Sequence, residues 1–302
     1  MSYPSASIED PDIPDITMKV SGFTIIRNGV IYGYPFKESI LSILPLCDEF
    51  IINVGGSEDS TLEEIKLLQS QYPEKIKLFE SEWDDTIREG GKMLSVETNK
   101  AMEQCTGDWL FYLQGDEVLH EKYTGIVQKQ MEQNLNDPEV DGLRFWYIHF
   151  YGSYEYIQDN YRKWYVKEIR LIKNHRNIVS AGDALSFEYK EGGKIKMKQI
   201  EAWIYHYGWV KPAETMLLKR KGFEKLYNNE DEYKKVVGKL TSYNDYGDLI
   251  LFNGTHPEVM KEIVSSAELN FDPRFEEQKP DWVRKILIFL DPVIKRITRR
   301  NN

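Results

Sequence analysis

The chain has 302 residues, and 49 acidic against 39 basic side chains leave a net charge of −10. That balance excludes a general nucleic-acid binder, which needs a basic face. Only two cysteines, Cys47 and Cys105, are present, which excludes a disulfide scaffold and a cysteine-rich zinc site, and both sit in apolar stretches that predict small core residues.

Residues 1–18 are polar and punctuated by Pro4, Pro11 and Pro14, and read as a flexible lead-in. This start has no basic and then apolar stretch, so it is not read as a signal peptide, and the cytoplasm is the expected compartment. A rhythm then begins. Residues 20–26 read as a strand, and Ile40, Ile43 and Leu44 fall at helical spacing over 38–46. Residues 49–54 form a short apolar strand. Ser60-Thr-Leu-Glu63 has the pattern of a capping box, with Leu62, Ile65 and Leu68 on one helical face behind it. Residues 75–79 predict a strand, and Leu94, Thr98, Ala101 and Cys105 mark the next helix. Residues 109–113 predict a strong strand. Strands alternating with helices of this length imply βαβ units on a parallel sheet.

Beyond about residue 141 strand-like runs follow one another at 142–149, 165–172, 184–190 and 200–207, and helices return over 211–227 and 231–240. The final segment carries +4 over residues 281–302, leaving −14 on the body, and interleaves its cations with an apolar stretch. Two readings of it stand: a peripheral contact with an anionic membrane surface through residues 282–300, or a helix packed on the body and broken near Pro292. It is too short to span a bilayer, and no other run reaches the roughly 18 uncharged apolar residues a span needs.

Open α/β sheets bind ligands at the carboxyl ends of their strands. Two polar loops fall there. Gln114-Gly115-Asp116-Glu117 follows the strand at 109–113, where a carboxylate beside a glycine suits a hard cation bound with a diphosphate. Asp116 and Glu117 are neighbours on an extended segment and point to opposite sides, so one of them serves the site. Gly55-Gly56-Ser57-Glu58-Asp59 follows the strand at 49–54 and opens a helix whose N-terminus favours anions. Lys92, or Arg88 in its place, follows paired glycines and can meet a diphosphate. Ten aromatic residues crowd the 21 positions from Phe145 to Tyr165, among them Trp146, Tyr151, Tyr154 and Trp164, with His149 between them. Such rings stack on sugar faces or pack within sheets, and a mixture of both roles is expected. His120 reads as a surface helix residue.

The two loops, in this order and after these strands, resemble the family 2 glycosyltransferases. The likeness rests on Phe23-Thr-Ile-Ile-Arg-Asn28, on Asp48 to Thr61 against the family's strand ending in a D-G-S-T-D-x-T signature, and on Asn99 to Glu117 against its helix, G-D turn, strand and D-x-D segment. It covers residues 20–120 well and 165–210 loosely. It implies an α/β fold of GT-A type, a Rossmann-like mixed sheet flanked by helices with a helical C-terminal extension. The implied domain runs over 19–210, with a nucleotide-sugar half to about 120 and an acceptor half after it, and the extension with its basic tail over 211–302.

The same resemblance implies the roles. Asp116 matches the last acid of D-x-D, which holds Mn²⁺ or Mg²⁺ on the nucleotide-sugar diphosphate, while Gln114 stands where the first acid usually is. Val54 and Gly55 stand where the family offers an aspartate to the base or ribose, with Asn53 and Asp59 as replacements at hand. Arg27, Asn28, Ser57 and Gly115 complete the implied donor site. His206, in Ile200 to Trp209, looks like the late-strand histidine that completes the metal site, the other reading being a core histidine among aromatics. The catalytic base is Asp183, with Glu188 as the fallback. The aromatic segment falls where the family keeps its acceptor loops. The implied activity is inverting transfer from a nucleotide-sugar to a glycan or lipid-linked acceptor, at the inner membrane face if the tail binds there. A catalytically degenerate nucleotide- or glycan-binding relative is the alternative, since Gln114 replaces an acid. On this reading Asp116→Ala removes transfer and spares the fold.

Overall fold

A computed structural model describes residues 18–88, 90–159, 164–175, 177–237, 249–269 and 271. Residues 1–17 of the 1–18 lead-in, Tyr161 of the aromatic segment and the basic tail at 282–300 lie outside the described residues.

The first half follows the predicted alternation. Strand β1 (Val20–Ile26) leads to helix α1 (Phe36–Ile43), β2 (Glu49–Gly55) to α2 (Thr61–Gln71), and β3 (Ile76–Ser81) to α3 (Lys92–Glu103) and β4 (Trp109–Tyr112). Short β5 (Glu117–Leu119) and α4 (Thr124–Asn134) follow, then β6 (Gly142–Tyr151), β7 (Ser153–Gln158), β8 (Lys167–Lys173), β9 (Ile178–Ala181), β10 (Ser186–Tyr189) and β11 (Met197–Trp209). Helices α5 (Ala213–Tyr227) and α6 (Glu230–Val237), strand β12 (Leu249–Leu251) and α7 (Lys261–Ser266) complete the described chain.

Ten strands form one mixed sheet, in the order β12-β7-β6-β8-β4-β1-β2-β3, with β11 laid on β6 and β5 on β11. β3, β2, β1 and β4 run parallel, and β8 pairs antiparallel with β4. β9 and β10 form a separate hairpin. The segment past residue 211 is not helical throughout, because β12 adds an edge strand beside β7.

Strands β1, β2 and β4 are buried on both faces, as their largely apolar runs require, while edge strand β3 is partly exposed. Alternation decides which helix each face meets. Ile26, Phe50, Ile52, Trp109 and Phe111 share a cluster with Ile40, Ile43, Ile65 and Met131, so α1, α2 and α4 cover one face. Phe23, Ile51, Leu110 and Tyr112 share the other with Ala101, Cys105, Ile178 and Phe187, from α3 and the β9–β10 hairpin. Both cysteines are buried, and burial pushes both thiols up.

Two local expectations are corrected. The capping box is not made: Ser60 makes no side-chain cap bond, and Asp59 Oδ1 takes the Thr61 N–H at 3.0 Å instead, one residue earlier. His120 is not on a surface helix. It is buried, precedes a short 3₁₀ turn, and pairs through Nε2 with Thr255 Oγ1 at 2.8 Å.

Glu49 ties the parallel core together. Its Oε1 accepts from Ser21 Oγ of β1 at 2.7 Å and from Thr106 N before β4 at 2.7 Å, and its Oε2 from Lys77 Nζ of β3 at 2.6 Å. Burial alone would raise this carboxyl, but Lys77, Ser21 and Thr106 hold it down at about 2 against an ordinary 4.5. A depressed carboxyl contributes stability that is complete above the unfolded value and is lost as pH falls through the folded one. The chain should therefore lose stability between about pH 4.5 and about pH 2. Urea midpoints across that window should fall less steeply in Glu49→Gln, and equal slopes would remove Glu49 as the cause.

Candidate functional site

After β1 the chain crosses to β2 and β3 on one side, and it returns to β4 on the other. Such a switch point opens a crevice at the carboxyl ends of the two central strands. There lies a cleft of about 1310 Å³, lined by Arg27, Asn28, Gln114, Gly115, Asp116, Trp164, Asp183 and His206 among others, and roofed by α5 residues from Leu218 to Tyr227.

The Gln114–Glu117 turn divides its two acids. Glu117 turns inward and is fully buried, held by Arg170 through Nε at 2.7 Å and Nη2 at 2.7 Å and by Tyr147 Oη at 2.8 Å. Arg170 also donates to Leu185 O at 2.7 Å, so one buried guanidinium joins the Asp116 turn to the Asp183 loop. Asp116 turns into the cleft.

Two charged or ligating groups converge on Asp116. Lys219 Nζ donates to its Oδ2 at 3.0 Å, and His206 Nε2 lies 3.6 Å from the same oxygen. Burial opposes the charge, but Lys219, His206 and Lys211 hold the Asp116 carboxyl well below the usual range. Gly208 makes the convergence possible. A Cβ there would stand 2.3 Å from Asp116 Oδ2, 2.7 Å from His206 Nε2 and 2.8 Å from Lys219 Nζ. Gly208→Ala is therefore expected to scatter the cluster and weaken binding of an anionic ligand held by it by about tenfold or more, the worth of one charge-assisted hydrogen bond. Calorimetric titration reads this directly, and unchanged affinity would mean that the cluster does not touch the ligand.

His149 orients His206. Its Nε2 faces Tyr165 O at 2.7 Å and so carries the proton, which leaves Nδ1 to accept from His206 Nδ1 at 3.0 Å. Burial and the neighbouring His206 push the His149 imidazole down to about 3, so it stays neutral. That bond turns His206 Nε2 toward Asp116, where it must give up its proton before it can ligate an ion. A carboxylate oxygen and an imidazole nitrogen at this spacing would suit a divalent ion only if Lys219 released that oxygen. Among the described residues no third His, Cys, Asp or Glu joins them.

Asp183 enters from the β9–β10 side. Tyr227 Oη of α5 donates to its Oδ2 at 2.8 Å. Among the described residues two non-glycines have positive φ, Asn28 at 56° and Ala184 at 60°, and both line the cleft. Such backbone is strained and is held only where its surroundings enforce it. Asn28 is fixed by its N–H on Ser57 Oγ at 3.0 Å and by its Oδ1 under Glu58 N at 2.8 Å.

Other sequence-predicted residues lie elsewhere. Asn53 is buried and donates to Glu97 Oε2 at 2.9 Å, so it serves the core. Gly55 is covered by the indole of Trp83. Ser57 and Asp59 shape the loop, Asp59 by accepting Ile31 N at 2.7 Å. Arg88 pairs with Glu230 at 2.6 Å, and exposed Lys92 begins α3 without lining the cleft. Glu188 is exposed on β10 and does not line it either, because alternation turns it away. Of the acceptor candidates, Trp164 alone lines the cleft. Trp146 stacks on Trp203 at 6.2 Å, His149 and Tyr151 are buried, and Tyr154 lines a separate hollow with His256. Aromatic spacing could not tell these positions apart. Residues that sequence reasoning missed include Tyr34, Trp83, Lys219 and Tyr227.

No family model matches the chain, and no curated protein does. Solved structures do. S. aureus TarS is 15% identical over 68% of this chain at a TM-score of 0.40, and this chain spans 39% of it. TarS 1–349 in complex with UDP is 15% identical over 73% of this chain and 70% of its own, at 0.41. The mannosyltransferase PcManGT of Pyrobaculum calidifontis, in complex with GDP-Man and Mn²⁺, is 18% identical over 42% of this chain and 34% of its own, at 0.32. Likeness at this level assigns no activity, which has to come from the cleft.

Proposed function

We propose that the chain is a glycosyltransferase that moves a sugar from a nucleoside-diphosphate sugar to a hydroxyl of a glycan or lipid-linked acceptor, with inversion. The observation that carries this reading is that Asp116, His206 and Asp183 all line one cleft at the carboxyl ends of the parallel strands. Asp183 is the base. It takes the proton of the acceptor hydroxyl as that oxygen attacks the anomeric carbon, and the bond to the diphosphate breaks on the opposite side. Asp183 ends protonated and returns the proton to water. Asp116 Oδ2 and His206 Nε2 are the atoms that would hold Mn²⁺ or Mg²⁺ if Lys219 gave up that oxygen, and such an ion would neutralise the departing diphosphate. Trp164 and Tyr165 line the same cleft, and aromatic rings so placed can stack on a sugar.

The lipid-linked arm of the proposal rests on the cationic segment 282–300. Among the described residues no helix is long and apolar enough to cross a membrane. The test is incubation with UDP-, GDP-, CMP- and dTDP-sugars, following nucleotide release and thermal midpoint. A donor that binds the native state raises the midpoint by mass action. Release of one nucleoside diphosphate, with water standing in for the acceptor hydroxyl, supports cleavage of the donor, binding without release supports the degenerate relative, and neither response with any donor rejects the reading.

A further inference from the structure

Lys219 is built into the site as a cation. It is 3% exposed, and its ammonium donates to Asp116 Oδ2 at 3.0 Å and to Gly208 O at 2.8 Å. Three rings surround it, Trp209 at 4.7 Å, Tyr34 at 4.8 Å and Phe223 at 5.4 Å. An ammonium has three donors. Two are used, and none of the described residues accepts the third, although Lys219 lines the cleft beside Gln114 and Asp116.

Charge makes the placement meaningful. Gln114 removes one carboxylate from the turn, and one ammonium balances the carboxylate that remains. The pair is neutral, so it attracts a divalent ion only weakly, and the ion would compete with Lys219 for the same Asp116 oxygen. A diphosphate arriving in this cleft meets a desolvated ammonium with a donor to spare, held at a fixed point by α5. Charge-assisted hydrogen bonds of this kind are the strong ones.

We propose that Lys219 is the resident counter-cation of the donor site: its ammonium hydrogen-bonds the diphosphate of the nucleotide-sugar, and the donor binds without a divalent ion. This rests on the nucleotide-sugar reading above. Removing Lys219 then leaves Asp116 and His206 free to take an ion, so the variant becomes metal-dependent.

The experiment is calorimetric titration of UDP and of GDP into the full chain, in excess EDTA and in Mn²⁺, with Mn²⁺ binding followed separately by electron paramagnetic resonance. The wild-type chain should bind one nucleotide with affinities that agree within about twofold between the two conditions. Lys219→Met should lose about tenfold or more in EDTA, recover in Mn²⁺, and bind Mn²⁺ alone more tightly than the wild type. Wild-type binding that vanishes in EDTA overturns the proposal, and that arm does not depend on any variant folding. Undiminished binding by folded Lys219→Met in EDTA overturns it too. If neither nucleotide binds in either condition, the nucleotide-sugar reading itself fails and takes this one with it.

Discussion

Asp116→Ala should cost the chain about 3–5 kcal/mol of stability as well as abolish transfer, because its carboxylate is the partner of a buried ammonium. The reading from sequence alone expects this substitution to spare the fold, and the pairing with Lys219 at 3.0 Å predicts a loss of stability instead. Removing one member of a buried pair leaves the other charge without compensation, whereas removing both leaves a neutral gap. Lys219→Met alone should therefore be destabilised as well, and Asp116→Ala with Lys219→Met should be more stable than the two single losses add up to. The coupling should be of order 1–3 kcal/mol in a cycle of urea unfolding. The double variant should still transfer no sugar, which separates the stability role from the chemical one. Additive losses across the cycle would show that the two charges do not meet in solution.

The parallel half of the fold was legible because its signals are local. Apolar runs at 20–26, 49–54 and 109–113 are buried on both faces, and the turns after them fall where a switch-point crevice must lie. Asp116 could be placed from that logic alone. Lys219 could not. It is 103 positions from Asp116 on a helix whose other cations are ordinary, and only packing against Gly208 and three rings singles it out. His149 shows the same limit from the other side. It fell within an aromatic segment that suggested sugar binding, yet its bond to His206 makes it a support for a ligating atom. Asn53 and Gly55 occupy the strand end where the resemblance placed nucleotide contacts. Glu97 and Trp83, which cover them, come from α3 and the loop before it, and no pattern near residue 53 announces them. Glu188 fails for a simpler reason, because strand alternation on β10 turns it outward, and the period of that short strand could not be phased without its hairpin partner.

Asp183→Asn should lower turnover by about 10²–10⁴ while leaving donor affinity nearly unchanged, the signature of a proton acceptor used in the transition state. The structure says what holds that carboxylate in place. Arg170 fixes the following Leu185 carbonyl at 2.7 Å, and Gly91 lies so close that a Cβ there would stand 2.7 Å from Asp183 Cβ. Tyr227 Oη donates to Oδ2 at 2.8 Å, and burial together with Asp183 pushes its phenol up, so Tyr227 remains the donor. Tyr227→Phe removes only this orienting bond. It should cost about tenfold in turnover, much less than Asp183→Asn, and the two losses should not add, because Tyr227 acts through the carboxylate. A Tyr227→Phe loss that persists undiminished in the Asp183→Asn background would place the phenol on the substrate instead. Full turnover by Asp183→Asn would remove the base altogether, and because Glu188 faces away from the cleft, proton removal would then fall to bulk water and inversion would lose its residue on this side of the sugar.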